Sequence, residues 1–323
     1  MVPQITSATR HIQYLHFSCP EPSAFALTSI GIAGLPFSCG RKQENIFKYA
    51  FCNEILEDIS WPAQCEIIGN AGYQGVEIAP FTLVEQGVQE LTANKRRQMV
   101  QDMKNAGIEC AGLHWLFVAP PAGLHFTTPD NSVRQRSIDY LVKLIDFCGD
   151  MGGSEMIFGS PNQRGTTNGA TVREAVNNYI DGLAQVADHA QQRGVKILVE
   201  PLPGESTDVV NTLYEAMYVV NQIGHPAIST MFDFHNTLDE TQPLDELVRQ
   251  YYDHIDHVHF QNMDGTLVTA DAIPQDFIPV FEVLKEKGYN KWVSLEVFDY
   301  SPGGEFIANE GMRTFLEIEK RIS

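Results

Sequence analysis

Four short apolar runs in the second half of the chain each end on a residue that can hold a metal ion. Residues 195–199 lead to Glu200, 229–232 to Asp233, 255–258 to His259 and 292–295 to Glu296. The first run is followed at once by Pro201, Pro203 and Gly204. Apolar stretches bounded by such breakers read as buried strands. Four consecutive strands would then each deliver one ligand-type side chain to the same edge of a sheet.

The rest of the chain repeats this rhythm. Strands are expected at 48–52, 75–79, 108–113, 155–158, 195–199, 229–232, 255–258 and 292–295. Helices are expected between and after them at 61–70, 94–106, 132–151, 171–193, 208–223, 244–252, 275–287 and 306–321. Thr171 and Glu174 form a capping box at the start of the fourth helix. Gly107, Gly152, Gly194, Gly224 and Gly288 stand where left-handed helix ends need a residue without Cβ. Strict strand–helix alternation means a parallel sheet with helices outside. Eight units over about 275 residues give an α/β fold, a closed (β/α)8 barrel, whose chemistry sits at the C-terminal ends of its strands. An open doubly wound sheet would place a glycine-rich phosphate loop after its first strand; here that position reads Asn53-Glu54-Ile55-Leu56. Residues 1–46 lack the pattern and read as an N-terminal extension, packed on the barrel or partly disordered, ahead of one catalytic domain at 47–323.

Charge narrows the partners. With 41 acidic against 22 basic residues the net charge is −19. Nucleic-acid affinity comes largely from counterion release by Lys and Arg, and an anionic membrane surface also repels such a chain. No window is long and apolar enough to cross a bilayer, and residues 25–40 lack the basic start and cleavage site of a signal peptide. The six scattered cysteines, without a CxxC pair, read as free buried thiols of a reducing cytoplasm.

Three carboxylates and one imidazole suit a hard or borderline divalent ion, Mn²⁺ first, with Mg²⁺ and Co²⁺ as alternatives. Taken singly, a strand-end glutamate is more often a salt-bridge or cap partner, and a strand histidine a hydrogen-bonded core residue. It is their recurrence on four successive strands that argues for a metal centre. Around this set, His114 ends the third strand, where it would touch substrate or a proton path, or pack in the core. Arg164 follows the fourth strand, where it would clamp a carboxylate or phosphate. His257 shares the face of His259 by strand alternation. Glu54 and Glu77 are expected to be hydrogen-bonding residues. Trp115 and Phe117 are expected to form an apolar wall or core.

The segments Val199-Glu200-Pro201-Leu202, Phe232-Asp233-Phe234-His235-Asn236, His257-Val258-His259-Phe260 and Leu295-Glu296-Val297, with Gly75-Val76-Glu77-Ile78, resemble the motifs of the xylose-isomerase-like TIM barrel superfamily. Within it they are most similar to the ketose 3-epimerase and inosose-processing branch. The resemblance implies one divalent ion held by Glu200, Asp233, His259 and Glu296. It implies a sugar or cyclitol substrate, deprotonated next to its carbonyl to a cis-enediolate. Glu200 and Glu296 would then be acid and base as well as ligands, and Asp233 and His259 ligands only. It also implies that His235 contacts a substrate oxygen, that Glu205 stands at the substrate's end, and that the protein forms a homo-oligomer, as family dimers and tetramers do. One departure is plain. Phe260-Gln261-Asn262-Met263-Asp264-Gly265 lacks the arginine that ketose 3-epimerases carry after the ligand histidine, which leaves the substrate open. A lyase or dehydratase, including the C-glycoside-cleaving type, shares the first proton transfer and is the alternative. A multi-metal nuclease of the same barrel is opposed by the charge. A non-catalytic barrel is opposed by the complete ligand set.

Overall fold

The computed structural model describes residues 45–323. The expectation for residues 1–46 therefore falls, but for its last two residues, outside the described part. Eight strands, β1 (Lys48–Cys52), β2 (Gly75–Ile78), β3 (Glu109–Leu113), β4 (Glu155–Phe158), β5 (Lys196–Val199), β6 (Ile228–Asp233), β7 (Ile255–Phe260) and β8 (Trp292–Leu295), alternate with eight α-helices. These are α1 (Trp61–Ala71), α2 (Ala93–Asn105), α3 (Asn131–Met151), α4 (Val172–Gln192), α5 (Leu213–Ile223), α6 (Leu244–Tyr251), α7 (Phe277–Glu286) and α8 (Gly304–Arg321). The strands close into a barrel in chain order, and all pair in parallel. The expected TIM barrel is the fold observed.

Two local differences have physical reasons. The fifth helix begins at Leu213, not near residue 208. Thr212 caps it by accepting from the Glu215 amide, and Asn211 Nδ2 donates to the carbonyls of Leu202 and Thr207. These side-chain bonds give residues 207–212 an alternative to helix. Strands β6 and β7 run further than their apolar runs, and both reach their ligand residue, so that Asp233 pairs in register with His259. A register shift between Thr230 and Phe232 makes that alignment.

The core lies between sheet and helices and is rich in aromatic rings. Phe234, Phe260, Phe277 and Phe281 pack with centroids 4.4–6.0 Å apart. Close strand approach fixes one glycine: a Cβ on Gly112 of β3 would lie 2.2 Å from the Glu155 carbonyl oxygen. Cys52, Cys65, Cys110 and Cys148 are free and buried; Cys19 and Cys39 fall outside the described residues. No described helix is long and apolar enough to cross a membrane.

Both ends of the described chain meet at one carboxylate. Glu319 Oε1 accepts from the amides of Ile46 (2.7 Å) and Phe47 (3.3 Å) and from the Tyr49 hydroxyl (3.0 Å). Glu319→Ala leaves these donors without their acceptor, at roughly 1–3 kcal/mol per buried orphan. Chemical denaturation is expected to show a loss of at least about 1–3 kcal/mol. Glu319→Gln, which keeps an acceptor oxygen, is expected to lose less.

Candidate active site

The C-terminal ends of β5 to β8 bring four side chains to one point. Glu200 and Glu296 directly follow β5 and β8, Asp233 closes β6, and His259 is the penultimate residue of β7. All four are buried. His259 Nδ1 lies 3.0 Å from Glu296 Oε2 and 3.8 Å from Glu200 Oε1. One potential ligand atom from each of Glu200, Asp233 and His259 lies within 4.8 Å of the others. Asn236 ties two of the carboxylates together, Nδ2 donating to Glu200 Oε1 (3.1 Å) and Asp233 Oδ2 (2.7 Å). The His235 amide donates to Asp233 Oδ1 at 2.8 Å, and Gln261 Nε2 to Glu296 Oε2 at 3.2 Å. Room for Glu200 depends on a glycine: a Cβ on Gly159, just after β4, would sit 2.1 Å from Glu200 Oε2.

This concentration of carboxylates has an electrostatic cost. Burial raises the Glu200 carboxyl to about 8; His259 opposes that shift, and repulsion from Asp233 and Glu296 adds to it. Asp233 is raised to about 6 by burial and by Glu296. Burial also works against the Glu296 carboxylate, but the His259 imidazole outweighs it and the group sits below the usual carboxylate range. Burial disfavours a charged His259, yet Glu77 and Glu296 hold it well above the ordinary imidazole value.

Both features fit a divalent cation. Three carboxylates face a single imidazole, so positive charge is short. His259 Nδ1 is buried with no hydrogen-bond partner, while its Nε2 donates to Glu77 Oε1 at 3.0 Å. A metal-ligating histidine typically donates its other ring N–H to a carboxylate in this way, which fixes its tautomer and ring orientation. Glu200, Asp233, His259 and Glu296 would hold the ion.

Three of the four open on a cleft lined by Glu200, Glu296, His259, His235, Trp115 and Phe298 among others. The sequence profile of the xylose isomerase-like TIM barrel family matches residues 65–318.

The chain belongs to that family.

Relatives of this xylose isomerase-like barrel include a probable ketose 3-epimerase of Synechocystis sp. (strain ATCC 27184 / PCC 6803 / Kazusa). It is 23% identical over 210 residues, which cover 60% of this chain and 72% of that protein. An inosose dehydratase of Serratia proteamaculans (strain 568) is 22% identical over 196 residues, covering 51% of this chain and 65% of that one. Among solved structures, a D-psicose 3-epimerase of Clostridium cellulolyticum H10, crystallised with D-tagatose, superposes with a TM-score of 0.72 at 16% identity. The superposition covers 85% of this chain and 99% of that one.

The other expected site residues of this family member are placed unevenly. His235 lines the cleft, its ring edge-on to Phe298 at 5.1 Å and its Nδ1 buried without a partner. His114 also lines it, but both ring nitrogens face carboxylates, Nε2 2.9 Å from Glu54 and Nδ1 3.3 Å from Glu77. Arg164 must be corrected. It is fully buried, and Nη1 donates to the carbonyls of Phe158 (2.8 Å) and Glu200 (2.7 Å). It braces the ends of β4 and β5 and does not line the cleft. Glu205 is exposed on the loop after β5, and its neighbour Ser206 reaches the cleft. Trp115 lines the cleft, whereas Phe117 packs in the core against Phe126 and Phe158. His257 points into the barrel, its Nδ1 2.6 Å from Glu155. Sequence reading missed Asn236 and Gln261. Their signals were spacing: Asn236 stands three residues after Asp233, and Gln261 two after His259.

Proposed function

We propose that this protein is a divalent-metal-dependent sugar epimerase or isomerase of the ketose 3-epimerase kind, acting by proton transfer next to a carbonyl. The observation that carries the reading is that Glu200 and Glu296, from strands separated by two others, open on one cleft with His259 beside both. A divalent cation bound by this set would supply Lewis-acid polarisation of the substrate carbonyl, lowering the cost of the developing negative charge. One glutamate takes the proton from the carbon beside the carbonyl. The other returns a proton from the opposite face, which inverts the centre. Positioned carboxylates contribute roughly 10²–10⁴-fold to such a step. His235, with an unpartnered Nδ1, binds a substrate hydroxyl, and Trp115 and Phe298 cover an apolar sugar face.

Among the described residues no lysine or arginine lines the cleft, and the Arg164 Nη1 is already committed to backbone carbonyls. The substrate is therefore an uncharged keto sugar or cyclitol, not a sugar phosphate. The test is incubation of the protein and Mn²⁺ in D₂O with free ketoses and with ketose phosphates. Deuterium wash-in at the carbon beside the carbonyl, with an epimer formed from a free sugar, is expected. Loss of water would favour the dehydratase reading that the Serratia relative raises. Phosphates turned over better than free sugars would overturn the assignment of an uncharged substrate.

A further inference from the structure

We propose that Glu77, on β2, is the positioning residue of the proposed metal centre: it fixes the tautomer and the ring angle of His259. The inference rests on the metal-dependent reading above.

Glu77 is fully buried in the barrel interior, below the mouth. It stands against imidazoles from two other strands. Oε1 lies 3.0 Å from His259 Nε2 and 3.3 Å from His114 Nδ1, and Oε2 lies 2.8 Å from His257 Nε2. His114 directly follows β3, and His257 and His259 lie on β7. The shift in the β2–β3 register falls between Val76 and Glu77. His257 is itself held from the other side by Glu155 at 2.6 Å and stands 2.9 Å from Ser294 Oγ.

An ionised carboxylate only accepts hydrogen bonds, and its two oxygens have about four acceptor positions. Of the three rings only His259 makes a hydrogen bond to Glu77, from Nε2 to Oε1; His257 Nε2 is paired with Ser294 Oγ, and Glu77 Oε2 and His114 Nδ1 are buried without a hydrogen-bond partner. Because His259 donates from Nε2, its Nδ1 faces Glu296 and Glu200. A glutamine of the same shape has one acceptor oxygen and one NH₂ group. With its NH₂ at the Oε1 position it would meet the His259 N–H; with its oxygen there it offers His259 an acceptor without the negative charge. His259 then either loses its partner or keeps only an uncharged acceptor, a weaker hold than a carboxylate gives, and is freer to turn or to change tautomer.

Mn²⁺ binding to the metal-stripped protein, followed by titration calorimetry, tests this directly and needs no substrate. Wild type is expected to take up one ion. Glu77→Gln is expected to bind it about 10–100-fold more weakly, as for removal of other groups that orient a metal-ligating histidine. Glu155→Gln, which leaves the Glu77–His259 contact intact, serves as a control and is expected to stay within about threefold of wild type. Should Glu77→Gln not fold, Glu77→Asp carries the test. It keeps the charge but shortens the reach to His259, and is expected to weaken binding as well. A folded Glu77 variant that binds Mn²⁺ within twofold of wild type would overturn the inference and leave the proposed function standing. So would a Glu155→Gln loss equal to that of Glu77→Gln, since the effect would then be general loosening of the core. A wild-type protein that binds no divalent ion overturns both.

Discussion

Replacing Glu296 by glutamine is expected to lower turnover by about 10²–10⁴-fold, the range for loss of a positioned acid or base. The substitution preserves shape and can still accept from the Gln261 amide, which donates to Glu296 Oε2. What it removes is the ability to take and return a proton. The isotope pattern is more telling than the rate. If Glu200 and Glu296 each serve one face of the same carbon, an enzyme with only one of them can still deprotonate the epimer presented to that residue. Glu296→Gln and Glu200→Gln are therefore each expected to retain deuterium wash-in on one epimer, a different one for each, while losing interconversion. Mn²⁺ affinity measured alongside separates loss of a ligand from loss of a base. Interconversion at wild-type rate in either variant would remove that residue from the reaction.

Chelation is expected to have the second large effect. Dialysis against EDTA should abolish turnover, and stoichiometric Mn²⁺ should restore it. The same step should lower the thermal midpoint at neutral pH. A ligand that binds only the folded state stabilises it by about 2.7 kcal/mol at a hundredfold excess over its dissociation constant. The electrostatics point the same way. Burial and repulsion among Glu200, Asp233 and Glu296 raise Glu200 and Asp233 above ordinary carboxyl values. A shared cation relieves that repulsion, so its removal costs stability as well as activity. Full turnover by protein proven metal-free by elemental analysis would defeat the proposed chemistry.

Much of this architecture was legible before any coordinates. Apolar runs that stop at Glu200, Asp233, His259 and Glu296, and glycines that stop helices, are local patterns set by local chemistry. The Thr171–Glu174 capping box formed as expected. Where side chains compete with the helix for backbone groups, as Asn211 and Thr212 do, apolar periodicity misplaced the helix start by five residues. Arg164 was misread for a related reason. Its position after β4 said that it was near the mouth, but not that two backbone carbonyls would take Nη1.

The order of strands and helices, the end of the barrel that carries the proposed chemistry and the residue types available to it follow from the amino-acid pattern, because each depends on near neighbours in the chain. Which groups actually touch does not. Glu77 and His259 are 182 residues apart, and nothing within either strand announces the other. Their contact exists only because the closed barrel, which joins β1 to β8, aims inward-facing side chains from strands far apart in the chain at one small interior. There a buried carboxylate must find donors or remain costly to bury.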